Sequence, residues 1–552
     1  MPQETPRRIV AELASRGYNA EREAVTLLAG TADPGRALER ALESVPEDAL
    51  KLSAEHVRAT LDEASGFAEG RAAAGDHASA SASVSASTST AASSGADPSG
   101  IDTGPASTSA SASADLDSSG GTGAGAGGVT EDPSSGSPVE REGSPAGIDR
   151  DPSPAEVTDD VTGRSTGTGE YEDFVATFRD RYERLSRLLA GRINHRPTTA
   201  VDGMPAGEDA AIVGMVADIR STASGHWLIE LEDTNGVFPC LVMKDKGIAD
   251  LVDELLLDEV IAVEGSLSDD GGLLFVDSLH FPDVPRTHRS STADRHVQAA
   301  LISDVHCGSQ EFMGEAWSRF ADWLHTEEAA AVEYLLIAGD MVEGVGVYPN
   351  QAEELEIVDI YEQYEAFSEH LKEVPGDLEI VMIPGNHDAV RLAEPQPGFD
   401  EELREIMSAH DARITGNPST VTIEGVDVLM YHGVSLDEVI AELPEEKASY
   451  DHPHRAMYQL LKKRHVAPQY GGHTRLAPEE RDYLVIEDVP DVFHTGHVHK
   501  LGYGKYHDVL TINSGCWQEQ TAFQESVNID PDCAFTPVVD LDTLELTIRD
   551  FE

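Results

Sequence analysis

Five short stretches place metal-binding side chains directly after apolar runs: LISDVHCGS (301–309), IAGDMVEG (337–344), IPGNHDAV (383–390), LMYHG (429–433) and HTGHVHK (494–500). Their chemistry-bearing residues are Asp304, His306, Asp340, Asn386, His387, Asp388, His432, His497 and His499. Two Asp, one Asn and four His suffice to hold two divalent ions with one carboxylate shared between them. A mixed nitrogen and oxygen set suits Mn²⁺, Fe²⁺ or Zn²⁺ better than Mg²⁺, which prefers oxygen shells. Two ions about 3.5–4 Å apart lower the pKa of a water and clamp a phosphate for in-line attack. A lone DxH, or one His at a strand end, is more often a hydrogen-bonded residue than a ligand. All five stretches in order leave that bland reading little room.

The elements that must position these residues are strands. VQAALISDVH, VEYLLIAGD, LEIVMIPGNHD, VDVLMYHG and VPDVFHTGHVH alternate with helical segments after about residue 295, the pattern of an α/β sheet. In such sheets, loops at the carboxyl ends of strands carry the site. Asp304 and His306, two apart, would face one way on an extended strand end. Gly339, Gly385 and Gly496 would let the backbone turn sharply beside the ions.

Upstream, the chain changes character several times. Residues 1–68 carry helical periodicity, with Asn19 as a helix cap, Glu21 and Glu23 in its first turn and Gly30 as a stop. Residues 69–170 are rich in Ser, Gly, Ala and Asp and read as a disordered linker. Residues 171–204 begin with an amphipathic helix whose stripe is Tyr171, Phe174, Val175, Phe178, Tyr182, Leu185 and Leu189. Its five arginines, Arg179, Arg181, Arg184, Arg187 and Arg192, either touch DNA or pair with acidic surface. Residues 205–286 hold five β-rich stretches with turn signals at Asn235-Gly236 and Gly271-Gly272, which suits an OB-type barrel. Trp227, Phe238 and Phe275 are its exposed-aromatic candidates, with core packing or subunit contact the better use. The fold class expected is therefore multidomain α/β plus β-barrel, ending in an αβ sandwich over 295–552.

The chain has 552 residues with 101 Asp and Glu against 39 Lys and Arg, a net charge of −62. Only nine of the basic residues are lysines. The charge is spread along the chain, which fits work in very high salt, as in a halophilic archaeon, where screening shortens the Debye length to about 3 Å. Net charge therefore does not decide partners. Cys240, Cys307, Cys516 and Cys533 form no CxxC pair, which speaks against a disulfide or zinc framework. No run of about 18 apolar residues occurs, so no membrane partner is expected and a cytoplasmic location is.

The ordered set DxH, GD, GNHD, single His and GHxH resembles the calcineurin-like metallophosphoesterases. The resemblance implies one metal on Asp304, His306, Asp340 and His499, and a second on Asp340, Asn386, His432 and His497. It implies that His387 stabilises or protonates the leaving oxygen and that Asp388 orients His387. The order of modules, with YEDFVATFRDRYERL, PQYGGHTRLAPEERDYLVIEDVPDVFHTGHVHK and INSGCWQEQTAFQ, is similar to the small subunits of archaeal family D DNA polymerases. That resemblance covers about 171–552. It implies 3′→5′ exonuclease activity with two divalent ions, Mn²⁺ first and Mg²⁺, Fe²⁺ or Zn²⁺ next. The partners it implies are a large catalytic subunit, single-stranded or mispaired DNA 3′ ends and, as a further candidate, a sliding clamp. The alternatives are a non-catalytic assembly subunit and a free-standing phosphodiesterase. His473 and Arg475 in GGHTR either approach DNA phosphates or make structural hydrogen bonds. His494 is a candidate support for the ligands. Cys307, Trp517 and Phe523 are expected first as core.

Overall fold

The computed structural model describes a few residues of 1–130, among them 19–20 and 51–52, then residue 148 and residues 150–552 apart from 167–168, 349–350 and 527–528. The chain divides into two units, 1–130 and 131–552. In the first, β1 (Asn19–Ala20) pairs in parallel with β2 (Lys51–Leu52). Ala24, Leu28, Ala37, Leu38, Ala41 and Val57 are helical and buried. Asn19, expected as a helix cap, lies in β1; Glu21, Glu23, Gly30 and residues 69–147 of the expected linker lie outside the described residues.

The linker expectation fails at its C-terminal end. Within 150–166, β3 (Glu156–Thr158) joins a sheet, and Arg150 is buried. The Arg150 guanidinium donates to the carbonyls of Val332 and Leu324, both at 2.6 Å, and pairs with Asp377 at 3.0 Å. A compositional reading averages over a window, and these few anchoring side chains are diluted by the polar run before them.

The helix α1 (Tyr171–Ala190) opens with Glu172 and Asp173 and a capping box between Glu170 and Asp173, which satisfies amides of its first turn. It ends at Gly191, short of the expected 204, and a second short helix, α2 (Thr198–Asp202), follows. Leu185 and Leu189 are fully buried against Val213, Val260 and Ala262 of the neighbouring barrel, a burial that stabilises by about 1.5–3 kcal/mol per leucine. Tyr171, placed on the apolar stripe by periodicity, is 80% exposed.

The barrel is β4 (Asp209–Ser221), β5 (Trp227–Asp233), β6 (Gly236–Val242), β7 (Val260–Leu267) and β8 (Leu274–His280), closed in the order β4-β5-β6-β8-β7. The pairings are antiparallel except β6 with β8. All five stretches read from the sequence become its strands. Phe238 fills the core and Trp227 packs against it, whereas Phe275 stays exposed.

The rest of the chain alternates: β9 (Gln298–Ile302), α3 (Gly314–Leu324), β10 (Val332–Ala338), α4 (Ile360–Leu371), β11 (Glu379–Ile383), α5 (Glu401–Ile406) and β12 (Arg413–Ile414). Then come β13 (Ser419–Ile423), β14 (Val426–Met430), α6 (Ser435–Glu442), α7 (Pro453–Lys463), β15 (Val492–Thr495), β16 (Leu501–Tyr506), β17 (Val509–Ser514), α8 (Ala522–Ser526), β18 (Phe535–Asp540) and β19 (Glu545–Asp550). Two six-stranded sheets result, β12-β11-β10-β9-β18-β19 and β16-β17-β15-β14-β13-β3. Their facing sides share one core, in which Leu301, Leu336 and Val381 meet Val428, Met430 and Ile512. In β10 successive residues alternate between this core (Tyr334, Leu336, Ala338) and an outer one (Leu335, Ile337) formed with α3 and α4. On the far side α6 and α7 cover the second sheet. The strands β9, β10 and β11 are mutually parallel, as are β14 and β15. All five of their carboxyl ends lead into the ligand-bearing loops.

Candidate metal centre

Asp304 follows β9, Asp340 follows β10, Asn386 and His387 follow β11, His432 follows β14, and His497 and His499 follow β15. Both sheets therefore contribute to one cluster. The backbone route differs from the one expected for Asp304 and His306. The strand stops at Ile302, and both residues sit in the left-handed region, φ 53° and 54°. Asp340, His497 and His499 do the same, at 51°, 73° and 54°. In these three loops the side chains are aimed by left-handed backbone and not by strand alternation; Asn386, His387 and His432 reach the cluster without it. Such backbone costs about 1 kcal/mol or more per residue and persists where surrounding contacts over-determine it.

Two of the three glycines act differently from expectation. Gly339 has the left-handed φ of 93° that was predicted. Gly385 and Gly496 need no special dihedral; a Cβ there would strike the carboxylates of Asp340 and Asp304 respectively. Their missing side chain admits the carboxylates.

The donors approach one another closely. His306 Nε2 lies 3.0 Å from His499 Nε2, and the two rings meet Asp304 Oδ1 at 3.9 and 3.4 Å. His432 Nε2 lies 3.1 Å from Asp340 Oδ2 and 3.0 Å from Asn386 Oδ1. Asp340 Oδ2 is also 3.9 Å from His306 Nε2, so this carboxylate faces both groups. Asp304–His306–His499 and Asp340–His432–His497 each bring three ligand atoms within 4.8 Å. Two ring nitrogens facing each other at 3.0 Å need a proton or a cation between them, since both otherwise present lone pairs or both present hydrogens. His432 Nδ1 donates to the Ala338 carbonyl at 2.8 Å, which leaves Nε2 as the coordinating atom. The donor set present thus fits divalent cations, as read from the sequence.

Charge is concentrated without water. Asp304, Asp340, His306 and His432 are all buried. Burial raises a carboxylate, yet Asp304 is held below its usual range by His499 and then His432, and Asp340 well below it by His432, His387 and His306. Burial would lower His432, but the Asp340 carboxylate raises it to about 10. His306 is pushed down by burial, against the pull of Glu343.

His387 is placed at the edge of the cluster, its ring 4.7 Å from that of His306. Its amide donates to Asp340 Oδ1 at 2.8 Å, and its Nδ1 donates to the Glu343 carbonyl at 2.7 Å. Asp388 does not orient this ring as expected. The Asp388 carboxylate instead accepts from Gly385 N at 2.8 Å, Met341 N at 3.4 Å and Tyr364 Oη at 2.9 Å. It ties the 340 and 385 loops together through these amides. Burial and the Asp340 charge push it up to about 7.

Glu343 is the residue that sequence reasoning passed over. Its Oε2 lies 2.8 Å from His306 Nδ1, off hydrogen-bond angle, and accepts from Gln518 Nε2 at 2.8 Å. Gln351 Nε2 and Tyr348 Oη donate to Oε1 at 2.8 and 3.0 Å. Burial would raise it; His306 and these donors hold it at about 2. The signal available was its place three residues after Asp340 in the same glycine-bounded loop. Asp437, in the first turn of α6, is a second omission; it lies 3.1 Å from His497 Nε2. Gln524 supports His499 Nδ1 at 2.9 Å. His494 is buried and meets Ser514 Oγ at 3.1 Å rather than a ligand atom. Cys307 and Trp517 are core, as expected. Phe523 is not: it is 40% exposed and stacks on Tyr348, ring centroids 4.8 Å apart.

A cavity of about 250 Å³ opens on the cluster, lined by His306, Asp340, Asn386, His387, His497 and His499, with Tyr348 and Phe523 as an aromatic wall. Beside it a second cavity of about 360 Å³ shares Asn386, Asp437, Tyr450 and His497 and adds His473 and Arg475.

The arginines of α1 are spent elsewhere. Arg181 is buried and pairs with Asp482 at 2.6 Å, and Arg184 pairs with Glu487 at 2.8 Å. Arg187 stands 3.7 Å from Glu487, and Arg192 donates to backbone carbonyls of Phe281 and Asp283. Of the two readings of these arginines, pairing with carboxylates accounts for three of the five; Arg192 binds backbone carbonyls and Arg179 stays exposed.

With this geometry in view, the comparisons with known proteins are specific. A family model for the B-type subunits of DNA polymerases alpha and epsilon matches residues 299–501. The chain is 62% identical over 551 residues to the DNA polymerase II small subunit of Halobacterium salinarum, covering 100% of both chains. It is 44% identical over 384 residues to the DNA polymerase II small subunit of Archaeoglobus fulgidus, covering 68% of this chain and 76% of that one. With that of Methanocaldococcus jannaschii it shares 40% identity over 393 residues, 69% of this chain and 66% of the other. No helix among the described residues is long and apolar enough to cross a membrane.

Proposed function

This chain belongs to the DNA polymerase II small subunit family, and on that premise we propose that it is the 3′→5′ exonuclease of a polymerase complex. The observation that carries the reading is the convergence of seven ligand-type side chains from five loops into one cluster, with the His387 ring alongside and five of the seven lining one cavity. In this reading the αβ sandwich is a calcineurin-like phosphoesterase domain and the barrel is of the OB type. The partner is a large catalytic subunit that carries nucleotidyl transfer, and the substrate is a single-stranded or mispaired DNA 3′ end.

Asp304, His306, Asp340 and His499 would hold one divalent ion and Asp340, Asn386, His432 and His497 the other, with Mn²⁺ first among the ions that suit these donors. Bound there, the pair supplies a water acidified enough to attack at neutral pH and positive charge against the phosphate. The chain's own residues do the rest. The Glu343 carbonyl accepts from His387 Nδ1 and so fixes its ring, leaving Nε2 to face the cavity. Burial would keep this imidazole neutral, but Asp340 and Glu343 raise its pKa above the usual value. It is thereby suited to give a proton to the departing 3′ oxygen. Tyr348 and Phe523 give the terminal base a stacking wall.

The test is degradation of a 5′-labelled single strand by the chain purified with its large subunit, in molar KCl with Mn²⁺. Asp340→Ala should abolish shortening. Shortening at the original rate by this variant, with contaminating nuclease excluded by a mock preparation, would remove the site from the reaction. A complex that binds the large subunit but never shortens the strand would favour an assembly role.

A further inference from the structure

The second cavity is not used by the reaction as described. Its floor is Asn386 and His497, both donors of the metal centre, and its far wall is the loop that carries His473 and Arg475. That loop is pinned from two sides. His473 N donates to Glu438 Oε1 at 3.0 Å. The Arg475 carbonyl accepts from Glu394 N at 2.8 Å, and Ala477 N donates to the Glu394 carbonyl at 2.7 Å. Backbone contacts therefore fix the loop, while the two side chains are exposed. Arg475 is the one Arg or Lys lining either cavity at the centre. No carboxylate among the described residues forms an ion pair with it, in a chain of net charge −62. Asp437, the carboxylate nearest this space, is engaged by His497 and Tyr450. The opposite exit has the reverse character: beyond Phe523 a cavity of about 510 Å³ is lined by Glu311, Glu353 and Glu354.

We propose that Arg475, with His473 beside it, forms the subsite for the phosphodiester next to the one cleaved, so that the single strand leaves the metal centre across this loop. The inference rests on the nuclease reading and deepens it by assigning a strand direction. The acidic exit offers a phosphate no cation to contact, and the guanidinium fork matches a phosphate in shape and charge. Tyr450 and Leu392, both partly exposed in this cavity, offer apolar surface to the attached nucleoside. A direct contact of this kind persists in molar salt, where longer-range attraction is screened beyond about 3 Å.

The experiment compares wild type, Arg475→Ala and Arg475→Lys, each as full chain with large subunit, on two probes. One is a 5′-labelled oligothymidylate of ten residues; the other is bis(p-nitrophenyl) phosphate, too short to span both subsites. Arg475→Ala should raise KM for the oligonucleotide about tenfold with a much smaller change in kcat. The loss on the short diester should be at least fivefold smaller, and Arg475→Lys should recover part of the KM. Equal losses on both probes, or an unchanged oligonucleotide KM, overturn the subsite. Should wild type cleave neither probe, the nuclease reading fails, and anisotropy of a fluorescent pentathymidylate still decides: equal affinity of wild type and Arg475→Ala overturns the subsite, weaker binding by the variant supports it.

Discussion

Among the described residues, two concentrations of buried charge are arranged oppositely. Where α1 and the barrel meet the αβ domain, buried cations face anions. Arg181 meets Asp482, and Lys463 meets Glu259 at 3.1 Å with both side chains almost fully enclosed. Three of the chain's nine lysines, Lys447, Lys462 and Lys463, gather on Glu254 and Glu259 there. At the metal centre, imidazole faces imidazole and two carboxylates are drawn into one pocket on left-handed backbone. In the first arrangement every named charge meets an opposite one, although Arg181 Nη2 and Glu259 Oε2 make no hydrogen bond. The second brings together donor atoms that could hold a metal ion. Burial alone does not separate scaffold from site; whether the neighbours cancel does.

That contrast can be broken first at the centre. Asp340→Ala should lower exonuclease activity about 10³-fold or more, because one carboxylate serves both groups. Asp340→Leu should do no better, since no apolar replacement restores a ligand. At the scaffold the same logic reverses. Asp482→Ala leaves Arg181 buried with backbone carbonyls but no counter-ion and should cost about 3–5 kcal/mol in urea unfolding. The double variant Arg181→Met/Asp482→Leu should recover most of that stability, which a thermal melt of both variants checks.

A pH titration sharpens the scaffold side. His465 is buried against Asp482 at 3.0 Å, and burial, then the Arg181 charge, press its pKa to about 4. Its unfolded value is about 6.5. The unfolded chain therefore binds a proton that the folded one refuses, and stability present above pH 6.5 is lost as pH falls toward 4. The loss should be about 3 kcal/mol over that window. His465→Gln, which keeps a hydrogen bond and cannot charge, should flatten the slope between pH 6.5 and 4. An unchanged slope would show that another group sets it.

The smallest effect expected concerns the residue that sequence reading passed over. Glu343→Gln keeps the shape around His306 and His387 and removes one charge, so activity or Mn²⁺ affinity should fall about 10-fold to 100-fold. Calorimetric titration of Mn²⁺ measures the affinity and steady-state kinetics the rate.

How much of this was legible in the residues follows from what kind of signal each element carries. The strands β9, β10 and β11 are near-continuous apolar runs that end in polar ligands, and the five barrel strands alternate between turn signals; both patterns are local. The donors themselves were readable for the same reason, because each sits in a short loop beside its strand. The hairpins β16–β17 and β18–β19 were not read, since LGYGKY and FTPVVD carry weak periodicity and are placed by pairing with distant strands. β3 was hidden at the end of a low-complexity run. Glu343 and Asp437 were missed because their role depends on which imidazole lies above them, a contact between residues tens of positions apart. The role of Asp388 came from the resemblance, while here its carboxylate is taken up by Gly385 N, Met341 N and Tyr364 Oη.

The central claim is that the cluster is a centre for two cations bridged by Asp340. The most direct measurement is an anomalous-difference map from crystals of the full chain grown with MnCl₂ and collected above the manganese edge. Two peaks should appear, one bounded by Asp304, His306, Asp340 and His499 and the other by Asp340, Asn386, His432 and His497, with the Asp340 carboxylate touching both. A map with no peak in this cavity at saturating Mn²⁺, or a single peak that leaves Asp340 unligated, would contradict it.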